Sequence, residues 1–104
     1  MKTFLVLLSA KQRELMNEEL IRGHVEYLNS LWEKRHLIFC GPCTDGTAIM
    51  LLQSGSLESI KELLQNDPFS KVMYYQSVEI KEVQDANPNN NFHLDEVLNY
   101  LSSK

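Results

Sequence analysis

The pattern of apolar and polar residues along the chain predicts alternating strands and long helices. The segment Thr3–Ser9 is almost continuously apolar, which is typical of a strand covered on both faces. From Lys11 to about Lys34, apolar residues recur at steps of three and four, which predicts a long amphipathic helix. The segments His36–Cys40 and Thr47–Gln53 then read as two strands separated by a turn.

The second half of the pattern completes a known arrangement. Ser56 is a candidate N-cap for the helix LESIKELLQN, which should stop at Asp67-Pro68, because the residue before a proline disfavours the α conformation. Residues 72–83 alternate imperfectly and predict a last strand. The order β-α-β-β-α-β is that of the α+β, ferredoxin-like fold, an antiparallel sheet with two helices on one face.

The end of the chain differs in composition from the rest. Residues 1–83 form the predicted domain, and residues 84–91 (QDANPNNN) are polar and read as a linker. Residues 92–104 predict an extra C-terminal helix with Asn91 as a candidate cap. This helix is too short to be stable alone, so we expect it to dock on the domain or on a second copy of the chain.

The other face of the predicted sheet needs a cover of its own. Both helices lie on one face, yet the strands, Thr3–Ser9 above all, are too apolar for the opposite face to meet water. The simplest cover is the same face of a second copy. The pattern therefore predicts a homodimer.

Composition and charge exclude several classes of protein. The 104 residues suit one domain, and the net charge of −4 without any basic run speaks against a nucleic-acid or anionic-membrane role. The opening MKTFLVLLSA has its apolar run only over Phe4–Leu8, which is short for a signal peptide and better explained as a strand. Two cysteines make no disulfide framework, so we expect a cytoplasmic protein.

The letters CGPC at residues 40–43 match the active-site motif of thioredoxin. A thioredoxin motif stands at the start of a helix, whose N-terminus makes a reactive thiolate. Here TDGTAIMLLQ follows, which predicts a turn and a strand. We therefore interpret Cys40 as a small buried residue and Gly41-Pro42 as an irregular strand end beside a pocket, with a dithiol oxidoreductase as the alternative.

Two residues far apart in the chain are candidates for acid–base chemistry. His24 lies four residues before Leu28, on the helix face predicted to meet the sheet. A lone histidine there is commonly a core residue, and a lone Asp67 is commonly an exposed residue at a helix end. Because both helices share one sheet face, Asp67 could instead orient the imidazole of His24 for proton transfer. The residues alone leave both interpretations open.

The order and spacing of several short motifs resemble the YciI-like (YCII-related) family over residues 1–83. These motifs are His24 with Leu28 and Leu31, a strand ending in Gly41-Pro42, the strand AIMLL, the helix SLESIKELL, and Asp67-Pro68-Phe69. The resemblance implies a dimer of the dimeric α+β barrel type with an active site built on a His-Asp pair, His24 and Asp67. A few relatives of this family act on small ring compounds by elimination, isomerisation or related proton-transfer chemistry, so the resemblance indicates a site more firmly than a substrate.

Further residues complete the expected site. Gly41 and Pro42 should line it, Phe69 should supply an apolar wall, and Arg22 could meet an anionic ligand unless it is merely solvated. No metal-ligand spacing or Gly-rich phosphate loop occurs, so neither a metal nor a cofactor is expected. Two classes stay open: a small lyase- or isomerase-type enzyme acting on a small organic molecule, and a non-catalytic ligand-binding or regulatory dimer.

Overall fold

The computed structural model describes residues 1–103 and consists of one four-stranded sheet with its helices. The elements are β1 (Lys2–Lys11), α1 (Glu18–Glu33), β2 (Leu37–Pro42), β3 (Ala48–Ser54), α2 (Leu57–Gln65), α3 (Pro68–Lys71), β4 (Tyr75–Val83) and α4 (Asp95–Ser102). The predicted order is confirmed, with the short α3 added between α2 and β4. Among residues 1–103, no helix has both the length and the apolar content that a membrane crossing requires.

The sheet has the strand order β2-β3-β1-β4, and all neighbouring strands are antiparallel. This is the predicted ferredoxin-like topology. One register row crosses the sheet near its end and is used below: Pro42 pairs with Ala48, which pairs with Leu8, which pairs with Val78. These four residues come from four strands. They therefore form one continuous row across one end of the sheet.

Helix α1 begins later than the sequence pattern suggests. The prediction began it near Lys11, whereas β1 continues to Lys11 and a 3-10 turn occupies Arg13–Leu15. The helix starts at Glu18 because Asn17 acts as its N-cap, accepting a hydrogen bond from the backbone N–H of Leu20 at 2.8 Å. The predicted Ser56 cap of α2 is confirmed, with its side chain accepting from the N–H of Ser59.

The core lies between the sheet and the helices α1 and α2. Alternate residues of β1 and β3 point into it, as the twofold period of a strand requires. The buried cluster consists of Phe4, Val6, Leu31, Leu37, Met50, Leu52, Ile60 and Leu64. All of its members precede α3, so neither β4 nor the C-terminal segment supplies a buried residue to it.

The opposite side of the sheet, called the open face below, carries a second set of apolar side chains. By strand alternation it holds Leu5, Leu7, Phe39, Ile49 and Leu51, and Leu51 pairs with both Leu5 and Phe39. Phe39 is 53% exposed. On β4 the same face carries the ion pair between Lys81 and Glu79, whose charged atoms lie 3.8 Å apart. The open face thus has an apolar centre bounded on one side by charge.

The C-terminal segment, called the arm below, extends away from the domain. After β4 it forms a 3-10 segment (Pro88–His93) and then α4, which begins at Asp95 rather than after an Asn91 cap. The main contacts of α4 are with that 3-10 segment. Its apolar side chains are half exposed: Leu94, Val97, Leu98 and Leu101. Docking of the arm on its own domain is therefore not seen, and docking on a second copy stays a prediction.

Deletion of residues 88–104 should lower the melting temperature in a manner that depends on protein concentration. Burial of four such side chains on a partner would contribute roughly 1.5–3 kcal/mol each before ordering costs. The point variant Leu98→Ser should reproduce part of the loss, whereas Asn99→Ser, its exposed neighbour, should not. Differential scanning calorimetry at two concentrations checks this, and an unchanged melting temperature on deletion would identify the arm as a free appendage.

Candidate active site

His24 and Asp67 form a hydrogen-bonded pair between the helices and the sheet. The Nδ1 atom of His24 lies 2.8 Å from Oδ1 of Asp67. The Asp67 side chain is 6% exposed and that of His24 is 20% exposed, so the pair is shielded but reachable. Because a carboxylate oxygen accepts, Nδ1 is the protonated nitrogen, and Nε2 is left to accept a proton from another molecule.

Asp67 is held in place by the backbone of α3. Its Oδ1 accepts a hydrogen bond from the N–H of Phe69 at 2.9 Å, which makes it the N-cap of α3. Pro68 occupies the first helical position, where its missing N–H costs little. The sequence pattern predicted that the second helix stops at Asp67, but α2 ends at Gln65 and Asp67 caps the next helix. The same oxygen therefore serves as helix cap and as partner of His24.

Phe69 fixes the imidazole from a second direction. Its ring stacks on that of His24 with 3.7 Å between centroids and 6° between planes. The ring of Tyr74 lies 4.6 Å beyond Phe69 and supports it in turn. With Asp67 at its edge and Phe69 against its face, the imidazole has little freedom to rotate, which is the preorganisation that proton transfer favours.

Gly23 lets α1 approach α3 closely. A Cβ atom at this position would lie 3.3 Å from Cγ of Pro68. Glycine is a weak helix former, so its place inside α1 is explained by this approach rather than by helix propensity. His24 follows Gly23, and Asp67 precedes Pro68. The close contact between Gly23 and Pro68 therefore sets the distance between His24 and Asp67.

A cavity of about 210 Å³ opens beside the pair. Its lining includes Leu8, Ala48, Pro42 and Val78, the register row at the end of the sheet. The helices supply Leu28 and Leu64. The remaining lining residues are His24, Cys40, Gly41, Ile49, Met50, Asp67, Phe69, Ser70 and Tyr75. At about 30 Å³ for each water, the space corresponds to about seven waters, which suits a small organic molecule.

The structure brings five of the six predicted site residues together. His24, Asp67, Gly41, Pro42 and Phe69 all line the cavity. Arg22 is the exception and requires a correction. Its guanidinium pairs with Glu18 one helical turn earlier, and its side chain is 75% exposed. A residue two positions before His24 lies on another side of the helix, so Arg22 cannot contact a ligand in this cavity.

The two cysteines do not form a thioredoxin-like pair. Cys40 lies within β2 and Cys43 just after it, so three extended steps separate them by roughly 10 Å. A disulfide needs Cα atoms within about 7 Å. No helix begins at Cys43. Its N–H instead donates to the carbonyl of Thr47 at 2.7 Å in a tight turn. The letters CGPC are here the end of a strand that borders the cavity.

Cys40 differs from its predicted role as a buried residue. It is exposed, and it pairs with Met50 across β2 and β3 on the side of the sheet that faces the helices. Its thiol borders the cavity, and partial burial raises its pKa. Cys40 at neutral pH is accordingly a thiol rather than a nucleophilic thiolate.

Both cysteines should remain free thiols in a mildly oxidising glutathione buffer, because their separation prevents a bond without movement of the strand. Alkylation followed by mass spectrometry measures this directly, with the denatured chain as the reference for complete reaction. The protein should also fail to reduce insulin disulfides. A Cys40–Cys43 disulfide in the folded protein, or catalysis of insulin reduction, would show that the strand end is not what the structure describes.

Cys40 is a cavity residue of chemical interest that sequence reasoning missed. Cys40 shares its strand face with Pro42, a spacing of two that could have placed it at the same pocket. For Tyr75 the sequence was a partial guide: one of the adjacent residues Tyr74 and Tyr75 was expected to line the pocket, and the structure places Tyr75 there. Among residues 1–103, no cluster of three or more His, Cys, Asp or Glu side chains is arranged to hold a metal.

Comparisons with known proteins agree with the family and the fold that the sequence predicts. A family model described as the YCII-related domain matches residues 2–84. Among solved structures, one similar chain is the 5-chloro-2-hydroxyhydroquinone dehydrochlorinase from Burkholderia phenoliruptrix AC1100, in complex with 2,5-dihydroxybenzoquinone. That structure is 17% identical, with a TM-score of 0.66 over 88% of this chain and 100% of the other. Among curated proteins, no sequence matches the chain.

Proposed function

Because the chain belongs to the YCII-related domain family, we propose that it is a small enzyme of lyase or isomerase type, acting on a small organic molecule through His24 and Asp67. The observation that carries this proposal is the 2.8 Å contact between His24 Nδ1 and Asp67 Oδ1 at the edge of an apolar cavity. A buried carboxylate that orients a reachable imidazole is the usual arrangement for general acid–base catalysis.

The two residues have different parts in the proposed chemistry. Nε2 of His24 takes a proton from the substrate, and the same nitrogen can return it to another atom. Asp67 holds the Nδ1–H and stabilises the imidazolium that forms, without becoming protonated itself. The apolar lining strengthens this electrostatic support, because few waters screen it. Proton transfer and elimination need no electron carrier, so we assign no cofactor.

The similar dehydrochlorinase supports a small ring compound as the substrate. Its complex contains 2,5-dihydroxybenzoquinone, a planar ring with oxygen substituents. A molecule of this size fits a cavity of about 210 Å³. Loss of hydrogen chloride is an elimination, which needs a base to remove a proton, and that is the part proposed for His24.

We further propose that the protein is a homodimer in the cytoplasm. The apolar centre of the open face supports pairing with a second copy, because an isolated sheet would leave Leu5, Leu51 and Phe39 against water. Two free cysteines suit a reducing compartment.

Isotope exchange in D₂O tests the proposed activity without knowledge of the full reaction. Small ring carbonyl compounds and hydroxyquinones, 2,5-dihydroxybenzoquinone included, are incubated with the protein, and loss of C–H signals is followed by proton NMR. The expected result is exchange that requires His24. Ligand binding without exchange for every compound would contradict the enzyme and favour the second class, a ligand-binding or regulatory dimer.

A further inference from the structure

Tyr75 lines the cavity and carries a hydroxyl group that the proposed chemistry does not use. It is the first residue of β4 and lines the same cavity as His24 and Asp67. Its ring meets that of Tyr74 edge-on with 5.0 Å between centroids, and it lies 6.4 Å from the ring of Phe69. Aromatic neighbours, rather than a bond to the hydroxyl, hold this side chain in place.

The hydroxyl of Tyr75 has no hydrogen-bond partner among residues 1–103. Tyr27 shows the contrast, because its hydroxyl donates to the carbonyl of Leu63 at 2.7 Å and so has a structural role. Burial, followed by the proximity of Tyr74 and Cys43, raises the pKa of Tyr75. The phenol therefore stays protonated near neutral pH, and its O–H remains free to donate to a ligand.

A base and a free donor around one apolar cavity indicate a class of substrate. When His24 removes a proton from carbon, the C–H bond breaks and an N–H bond forms at Nε2. The electron pair left on carbon forms a C=C bond, and the π pair of a neighbouring carbonyl moves to its oxygen. That oxygen becomes an oxyanion, which is strongly stabilised by a donor already aimed at it. The Nδ1–H of His24 cannot serve, since it is bonded to Asp67.

We propose that Tyr75 donates a hydrogen bond to this oxygen, and that the substrate is a small carbonyl compound with an acidic C–H beside its carbonyl group. The inference rests on the proposed function of His24 as the base. Tyr75 keeps its own proton throughout, so one proton moves, to Nε2, and the negative charge on the substrate oxygen balances the imidazolium. Tyr75 would then be a catalytic residue that contacts the reacting oxygen.

The test uses a stable oxyanion in place of the unidentified intermediate. The probe is 4-nitrophenolate, a planar ring with a charged oxygen, and 4-nitroanisole is the same ring without an ionisable oxygen. Tyr75→Phe removes the hydroxyl and keeps the ring, while Tyr74→Phe removes the neighbouring hydroxyl, which lies outside the cavity lining. Tyr75→Phe should weaken phenolate binding by about 10- to 100-fold, as expected for a lost hydrogen bond to a charged group.

The controls separate this role from packing. Calorimetric titration should show unchanged affinity of Tyr75→Phe for 4-nitroanisole and of Tyr74→Phe for both probes. Equal phenolate affinity in Tyr75→Phe and the parent protein, no phenolate binding by the parent protein at millimolar probe, or equal loss for both probes would overturn the inference. None of these results bears on His24, whose role is measured separately by the dependence of isotope exchange on that residue.

Discussion

Replacement of His24 by alanine should lower the rate of isotope exchange, and of any turnover found, by about 10²–10⁴-fold, the usual contribution of a positioned acid–base group. The variant should still fold, because His24 is not part of the buried core cluster. Circular dichroism and light scattering confirm the fold, and NMR exchange rates give the effect. Retained exchange in folded His24→Ala would contradict the assignment of this residue as the base.

Asp67→Asn tests the second residue of the pair, which orients His24. Asparagine is as good an N-cap as aspartate, so α3 should remain anchored at Phe69. The amide oxygen can still accept from Nδ1 of His24, but the charge that stabilises the imidazolium is lost. The loss of rate should therefore be smaller than in His24→Ala. A loss greater than that of His24→Ala would point to a direct role for the carboxylate.

The parent protein should have about twice the 12.0 kDa mass of one chain in multi-angle light scattering at micromolar concentration. Leu51→Glu should reduce this to a monomer, since Leu51 lies at the centre of the open face. A carboxylate buried there without a partner costs several kcal/mol, enough to weaken a dimer by more than about 10³-fold.

Gln65→Glu provides the control for assembly. It places the same charge on an exposed position of α2, on the other side of the sheet, and should leave the mass unchanged. A monomeric parent protein would contradict the open-face dimer. So would a Leu51→Glu variant that keeps the dimer mass, because the interface would then lie elsewhere.

The sheet and the two main helices could be predicted from the sequence because most of their apolar residues recur at the period of a strand or of a helix. Leu28 and Leu31 correctly indicated the inward side of α1 and so the direction of His24. Ile21 was a weaker guide, since it is 43% exposed although it falls on the same predicted stripe. Periodicity locates a face to within one residue or so, and His24 lies well inside it.

Features that depend on backbone detail could not be predicted. The start of α1 moved to Glu18 because a 3-10 turn, which has no apolar signature, follows β1. For Arg22 the structure bears out the solvated alternative, because one step along a helix turns a side chain by about 100°, from the edge of the apolar face into solvent. The capping role of Asp67 depends on the four-residue α3, which is too short to show a period.

The close approach at Gly23 places function and stability in opposition at a single position. Alanine there would strengthen α1 by about 1 kcal/mol through helix propensity alone. The added methyl group would press on Pro68, however, and Pro68 is joined directly to Asp67. A gain in helix stability at position 23 would therefore come at the expense of the spacing between His24 and Asp67.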